Sequence, residues 1–213
     1  MTSNINIYDK AIASLDDPIL TRTYTESKID FCYKMYTFLM RAIPLFNTPS
    51  SEFEKLQKAL IPPAEEECVI KADGINKQFN LTISINNEAV KEVKEEGKVV
   101  VNGFYFQNNS IIFNEPPPRD KKINIRQYFP GGFNITLEPV EETILALLLV
   151  SCWAEKEENF LLDIRRLLTT SDFKLHDSAS VLRSKVNWHY TMYEQAQKLM
   201  NNYSLTLLKR KMF

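Results

Sequence analysis

Few residues in this chain have the types and spacing that chemistry uses. His176-Asp177-Ser178 sets the three groups of a serine hydrolase side by side. Catalysis needs those groups converging from different elements, and chain neighbours do not do that. Asp177 or Ser178 reads instead as the cap of a following helix. His176 and His189 are the only histidines, too few to build a metal centre by themselves. Glu141, Glu142, Glu155, Glu157 and Glu158 mostly lie near expected helix ends, where carboxylates serve the macrodipole or solubility rather than acid–base work. Gly131-Gly132 lacks the lysine and the following helix of a phosphate loop. No catalytic residue, metal ligand or cofactor site is assigned, and the chain is not expected to be an enzyme.

Two basic clusters remain. Arg119, Lys121, Lys122 and Arg126 follow Pro116-Pro117-Pro118 and either face DNA or a phosphate surface or simply solvate a loop. Leu207-Leu208-Lys209-Arg210-Lys211-Met212-Phe213 is a basic tail with an apolar end, either a docking hook or a frayed terminus. Across 213 residues the formal charge is -1, so there is no global electrostatic case for nucleic acid. The 44% hydrophobic and 25% charged composition suits a chain that buries a real core. Cys32, Cys68 and Cys152 read as three buried, reduced thiols. No signal peptide is visible at the start, and the longest apolar run, Ile144 to Trp153, is about half of what a bilayer needs. A reducing cytoplasm is the expected folding compartment, with no membrane association.

The elements that hold these residues follow from periodicity. Glu138-Pro139-Val140-Glu141-Glu142 is a strong helix start, and Ile144 to Trp153 is apolar on every face. A second helix is expected from about Ser178 to Tyr203. Its stripe of Ala179, Leu182, Val186, His189, Tyr193, Ala196, Met200 and Tyr203 steps by three and four, the seam of a helix lying along another helix. Asp172 and Phe173 fall in the turn between the two. Thr25–Phe46 reads as a helix ended or kinked by Pro44. The first 25 residues read as a short helix or an arm.

From Glu67 the period changes to two. Phe79, Leu81, Ile83 and Ile85 alternate with polar residues and give the clearest strand pattern. Glu88–Glu96 reads as a charged connector. Short strands are expected at 99–101, 103–106, 110–113, 123–125 and 133–137, with Asn102-Gly103 and Asn108-Asn109 as tight turns. The expected fold class is α+β: a helical bundle with a long C-terminal helical hairpin and an inserted antiparallel β-rich block. The bundle would take residues 1–65 and 138–213, and the insert 66–137.

The run Leu167-Leu168-Thr169-Thr170-Ser171-Asp172-Phe173-Lys174-Leu175, then Ser178-Ala179 and Leu182 opening a Tyr-rich helix, resembles the head–tail adaptor (connector) proteins of tailed bacteriophage necks. Trp153-Ala154-Glu155 and Ala42-Ile43-Pro44-Leu45-Phe46 are similar to that family as well. The resemblance covers about half the chain. It implies a non-enzymatic virion subunit, assembled in the host cytoplasm into a homo-oligomeric ring, usually of twelve copies. Such a ring binds the portal protein on one side and tail or further neck proteins on the other, and lines the path of the packaged DNA. It further implies that Leu207–Phe213 docks into the portal, that Asp172 and Phe173 set the angle between the helices, and that Arg119, Lys121, Lys122 and Arg126 face DNA or the tail side. The alternative from the residues alone is a nucleic-acid- or peptide-binding module, with Tyr105, Phe106, Tyr128 and Phe129 of the β-block as stacking platforms.

Overall fold

In the computed structural model the described residues are 1–15, 18–46, 52–85, 89–100, 102–167 and 176–212. The elements run β1 (Thr2–Ser3), α1 (Asn4–Ile12), α2 (Pro18–Glu26), α3 (Lys28–Ala42), a 3-10 turn (Ile43–Leu45), α4 (Glu52–Ala59) and β2 (Leu60–Ile61). Then come β3 (Ala64–Lys71), β4 (Gln78–Asn80), β5 (Val90–Glu95), β6 (Lys98–Val100), β7 (Phe104–Gln107) and β8 (Ser110–Phe113). The chain continues with β9 (Lys122–Phe129), β10 (Gly132–Phe133), α5 (Pro139–Leu167) and α6 (His176–Met212).

The expected fold class, a helical bundle with one inserted β-rich block, is corrected. The chain is mixed, 51% helix and 25% strand, with three antiparallel sheets through its N-terminal two-thirds and one C-terminal helical hairpin. The sheets have the orders β1-β10-β2, β3-β9-β5-β6 and β4-β8-β7. The pairing of Thr2–Ser3 and of Leu60–Ile61 with Gly132–Phe133 between them could not be read from periodicity, because two-residue strands are too short to have one. Residues 1–17, 34–60 and 133–213 form one compact unit, and residues 18–33 and 61–132 another.

The first unit is built on α5. Residues 144–146 and 148–154 are all buried, so the helix is covered all round; α1, the 3-10 turn and α6 pack on it. Each such Leu or Ile contributes about 2 kcal/mol of burial. The start of α5 is fixed by its own sequence. Pro139 occupies the first helical position, and the Glu138 N–H donates to Glu141 Oε2 at 2.7 Å, the backward half of a capping box. Glu141 is 1% exposed, and its other oxygen accepts from the Tyr203 hydroxyl of α6 at 2.9 Å. Glu142 pairs with Lys10 of α1 at 2.6 Å, and Glu138 with Arg210 of α6 at 2.7 Å. The Leu137 N–H donates to Thr2 Oγ1 at 2.8 Å. Carboxylates expected only to serve a helix dipole therefore tie α1 and α6 to one helix end. With 37 residues, α6 is about 56 Å long.

The second unit holds two of the sheets around Cys68, Ala72, Leu81, Val93, Ile111, Ile123 and Ile125, with Phe79, Phe104, Phe106 and Phe113 packed against them. The β7–β8 hairpin closes through Asn108 and Asn109 at φ 46° and 58°, as a primed two-residue turn requires. Gly131 sits at φ 70°, and a Cβ there would lie 2.3 Å from the Ile61 carbonyl oxygen, so a side chain is excluded both by backbone and by space. Two strand readings are corrected. The alternation at Phe79–Ile85 yields only β4, ending at Asn80: Leu81 N–H instead donates to the Asn109 carbonyl and Ile85 N–H to Asn109 Oδ1. The charged stretch expected as a connector contains β5, because Val93 enters the core while Glu92 finds cations of its own.

A Tyr203→Phe chain should lose about 1.5–3 kcal/mol in urea unfolding, since a buried carboxylate oxygen loses its hydroxyl donor. Equal stability of variant and wild type would show that the Glu141 contact holds nothing.

Candidate interaction surfaces

Arg126 lies in the interior of β9, between core residues Ile125 and Gln127, where a charged side chain needs partners. β9 runs antiparallel to both β3 and β5, with Arg126 opposite Glu67 on one side and Glu92 on the other. Its guanidinium reaches Glu65 at 2.6 Å, Glu92 at 3.3 Å and Asp30 at 3.7 Å. Glu92 keeps only 5% of its side chain exposed and also pairs with Lys94 at 2.9 Å. Ser27 caps α3 and bonds both Asp30, at 2.8 Å, and Glu92, at 2.7 Å. Tyr33, one helical turn beyond Asp30, donates to Glu65 and rests on the Tyr128 ring at 4.7 Å. The start of α3 is thus stapled to the sheet by a closed ionic cluster.

The cluster biases its members in opposite directions. The hydrogen bond from Arg126 holds the Glu65 carboxyl below the usual range, against the opposing effect of burial. The same bond raises Arg126. Tyr33 is pushed up to about 12, first by its hydrogen bond to Glu65 and then by burial. Every group is engaged by another member of the cluster. Among the described residues no group of three or more His, Cys, Asp or Glu side chains could hold a metal ion. The three cysteines are free and buried, and desolvation pushes the Cys152 thiol up to about 11, far from a reactive thiolate.

The four residues of the basic cluster do not share one loop. Arg119 is exposed in the turn before β9, and its Cβ would lie 2.9 Å from a Cβ on Gly74. Lys121 pairs with Glu95 at 2.9 Å. Lys122 is exposed at the start of β9, and Arg126 is neutralised as described. The stacking residues of the alternative reading also part company: Tyr105 is exposed, Phe106 and Phe129 are half-buried, and Tyr128 is fully buried. What sequence reading missed is the role of Glu65, Glu92 and Tyr33. An arginine inside the alternating stretch Ile123–Phe129 was the signal that counter-charges must come from neighbouring strands.

On α6, Ala196, Met200 and Tyr203 are buried, and Val186, His189, Tyr193 and Leu207 are half-buried. His189 Nδ1 lies 2.9 Å from the Ser151 carbonyl oxygen of α5 and 3.1 Å from Ser151 Oγ. Trp188 meets Trp153 edge-on at 5.2 Å. Of Leu182, Lys211 and Met212 only the helical backbone is described; Asp172, Phe173 and Phe213 lie outside the described residues. Leu208 and Lys209 are exposed, while Arg210 is held by Glu138. Outward from the seam, Phe160 on α5 and Tyr190, Leu205 and Leu208 on α6 are large apolar side chains that remain more than half exposed. At 100° per residue the three on α6 fall within about 60° of one another. No helix among the described residues is long and apolar enough to cross a membrane.

Replacing Arg126 with Met should cost about 3 kcal/mol, because two carboxylates lose their counter-charge. Its acid limb should also flatten. A carboxyl held low in the folded state stabilises the fold above its unfolded value, near 4.5 for Glu65, and loses that contribution as pH falls through the folded value. Thermal melts between pH 3 and 7 test this, and parallel curves for variant and wild type would contradict it. For Tyr33, raised in the folded state, stability is present below 10 and lost as pH rises toward about 12. Absorbance at alkaline pH should lose a late-ionising tyrosine in Tyr33→Phe relative to wild type. Compared with known proteins, the chain matches no family model, no curated protein and no solved structure.

Proposed function

We propose that the protein is a structural assembly subunit, in its specific form a ring-forming connector of a tailed-phage neck. In this reading the ring bridges the portal protein and the tail or further neck proteins, and lines the DNA path. The observation that supports it is the outward face of the C-terminal hairpin. α6 carries a buried seam and, about 115° round the helix, a second stripe of Tyr190, Leu205 and Leu208 in water. A helix serving only its own fold needs one apolar stripe; a second stripe is the mark of a surface that another protein covers. Between Tyr190 and Leu205 the same face carries the exposed Glu194, Gln197 and Asn201, so a partner seated there must supply a cation or a polar group to Glu194. Arg210 is committed to Glu138 inside the unit, so docking at this end rests on Leu205, Leu208 and Lys209.

The test is light scattering on size-exclusion chromatography, for the chain alone and mixed with a portal assembly. The wild-type chain should join the portal peak. Leu205→Glu/Leu208→Glu, both at exposed positions, should lose at least about tenfold in affinity with an unchanged melting temperature, since 1.4 kcal/mol is a factor of ten. A chain that ignores the portal, or a double variant that binds as well as wild type, would sink the reading.

A further inference from the structure

The four-stranded sheet β3-β9-β5-β6 ends in two free edges. β9 is the only strand bonded to β3, and β5 the only one bonded to β6, among the described residues. β3 offers eight residues with Val69 59% exposed, and contains neither proline nor bulge in its register with β9. Such an edge is a row of open backbone donors and acceptors, and natural proteins cover it or guard it.

Charge is unevenly settled along these edges. On β3, Glu65 is paired with Arg126 and Lys71 with Asp120. Glu66 and Glu67, both exposed, are met only by the amides of Gln127 and Asn124, and no cation lies within ion-pair distance of either among the described residues. On β6, Lys98 is exposed and no carboxylate lies within that distance of it among the described residues. One edge therefore keeps two carboxylates open and the other keeps an ammonium group open.

The direction of the strands makes these two edges complementary. All three pairings are antiparallel, and the sheet has an even number of strands, so β3 and β6 run opposite ways. A second copy brought alongside by rotation about a common axis, without being turned over, presents its β3 antiparallel to β6 of the first. The faces agree as well. Glu66 lies opposite Gln127, Gln127 opposite Lys91, and Lys98 opposite Glu95, so Glu66 and Lys98 are on the same face of the sheet. Glu67 and Val99 are on the other. A register with Lys98 across from Glu66 then puts Val99 across from Glu65 and Val100 across from Ala64. Pairing β3 with β3 of a second copy instead leaves Lys98 idle and brings two acidic strands together.

We infer that β3 of one copy of this chain pairs antiparallel with β6 of the next, extending the sheet from subunit to subunit in a head-to-tail, ring-forming contact. The occupant of the β3 edge is a second copy of the chain. This rests on the assembly reading above and names a contact for it. Heterologous contacts of this kind close into rings or run on as filaments. The short β6 limits the contact to about three residue pairs, so the contact is weak alone and strengthened by closure.

The experiment uses the full chain, with mass measured by light scattering and native mass spectrometry over a concentration series. Glu66→Lys alone and Lys98→Glu alone should each weaken self-association at least tenfold. Lys98→Glu should keep its melting temperature. For Glu66→Lys, which also removes an acceptor of the buried Gln127 amide, association is compared well below the variant's own melting temperature. Mixing the two single variants should restore it, since each new edge meets an opposite charge, and so should the double variant. Stronger association in Glu66→Lys with unchanged association in Lys98→Glu would overturn the inference in favour of β3–β3 pairing. A wild-type chain that stays monomeric at its highest soluble concentration would overturn it too, while portal binding by that same chain would leave the assembly reading standing. Self-association lost only in Leu205→Glu/Leu208→Glu would place the contact on α6 and overturn the sheet contact.

Discussion

A helix that is apolar on every face sets the terms for the first unit. From Ile144 to Ala154 only Leu147 is not fully buried, and Ser151 and Cys152 are buried with the rest. Water can accept no side of it, so neighbours must be recruited from distant sequence: α1 from the N-terminal residues, and α6 from beyond. The all-round burial would leave the helix free to rotate or slide, because apolar contact has little direction. Direction comes from its first turn. Glu138, Glu141 and Glu142 each hold a different group, respectively Arg210, Tyr203 and Lys10, and the backbone before them is bonded to Thr2. Burial supplies the stabilisation, and three carboxylates at the positive end of a macrodipole supply the register.

The second unit solves the same problem with a different device. Its sheets are short and its core is rich in Phe and Ile, so a strand can slip by two residues and still bury apolar groups. Arg126 opposes this. It must sit where Glu65, Glu92 and Asp30 can all reach it, and only one register of β3, β9 and β5 permits that. A buried ionic cluster of this kind adds little net stability over apolar packing but penalises every arrangement that breaks it. The cost of misplacing one guanidinium thus fixes the alignment of three strands and the first turn of α3.

The two devices explain what was legible in the sequence. α5 and α6 were readable because long periodic patterns are unambiguous, and the capping residues at Glu138–Glu142 announce a helix start. The stripe from Val186 to Tyr203 could be placed residue by residue. Local pattern failed where partners came from afar. Glu88–Glu96 looks like a solvated connector because its lysines and glutamates alternate with only two valines; as β5 it is a strand whose charges are answered by Arg126 and Lys121 on neighbouring segments. Phe79–Ile85 looks like an ideal strand, yet Asn109 takes the hydrogen bonds that would have prolonged it. Thr2–Ser3 and Leu60–Ile61 flank Gly132–Phe133 in a sheet that no window of sequence contains. The basic cluster was misleading for the same reason: counting Arg119, Lys121, Lys122 and Arg126 as one surface ignores that Arg119 and Lys121 precede the strand. Three of the four, Arg119, Lys121 and Arg126, are also already paired, with Asp120, Glu95 and Glu65 respectively.

The ionic cluster is closed on itself, and the surfaces that remain open lie elsewhere. Glu65, Glu92, Asp30, Ser27, Tyr33 and Arg126 satisfy one another. What is left open lies on the outside: Tyr190, Leu205 and Leu208 along α6, Val69 and the carboxylates of Glu66 and Glu67 along β3, and Lys98 on β6. Apolar side chains and open strand edges cost solubility, and a monomer gains nothing from them. The first can be covered by side-chain burial and the second by backbone hydrogen bonds. The two kinds of surface also differ in what they recognise. An apolar helix face accepts any complementary groove and suits a different protein, whereas an even-stranded sheet with unlike edges is matched best by another copy of itself. Each unit of the chain therefore leaves its own kind of surface open: an apolar helix face in the first, strand edges in the second.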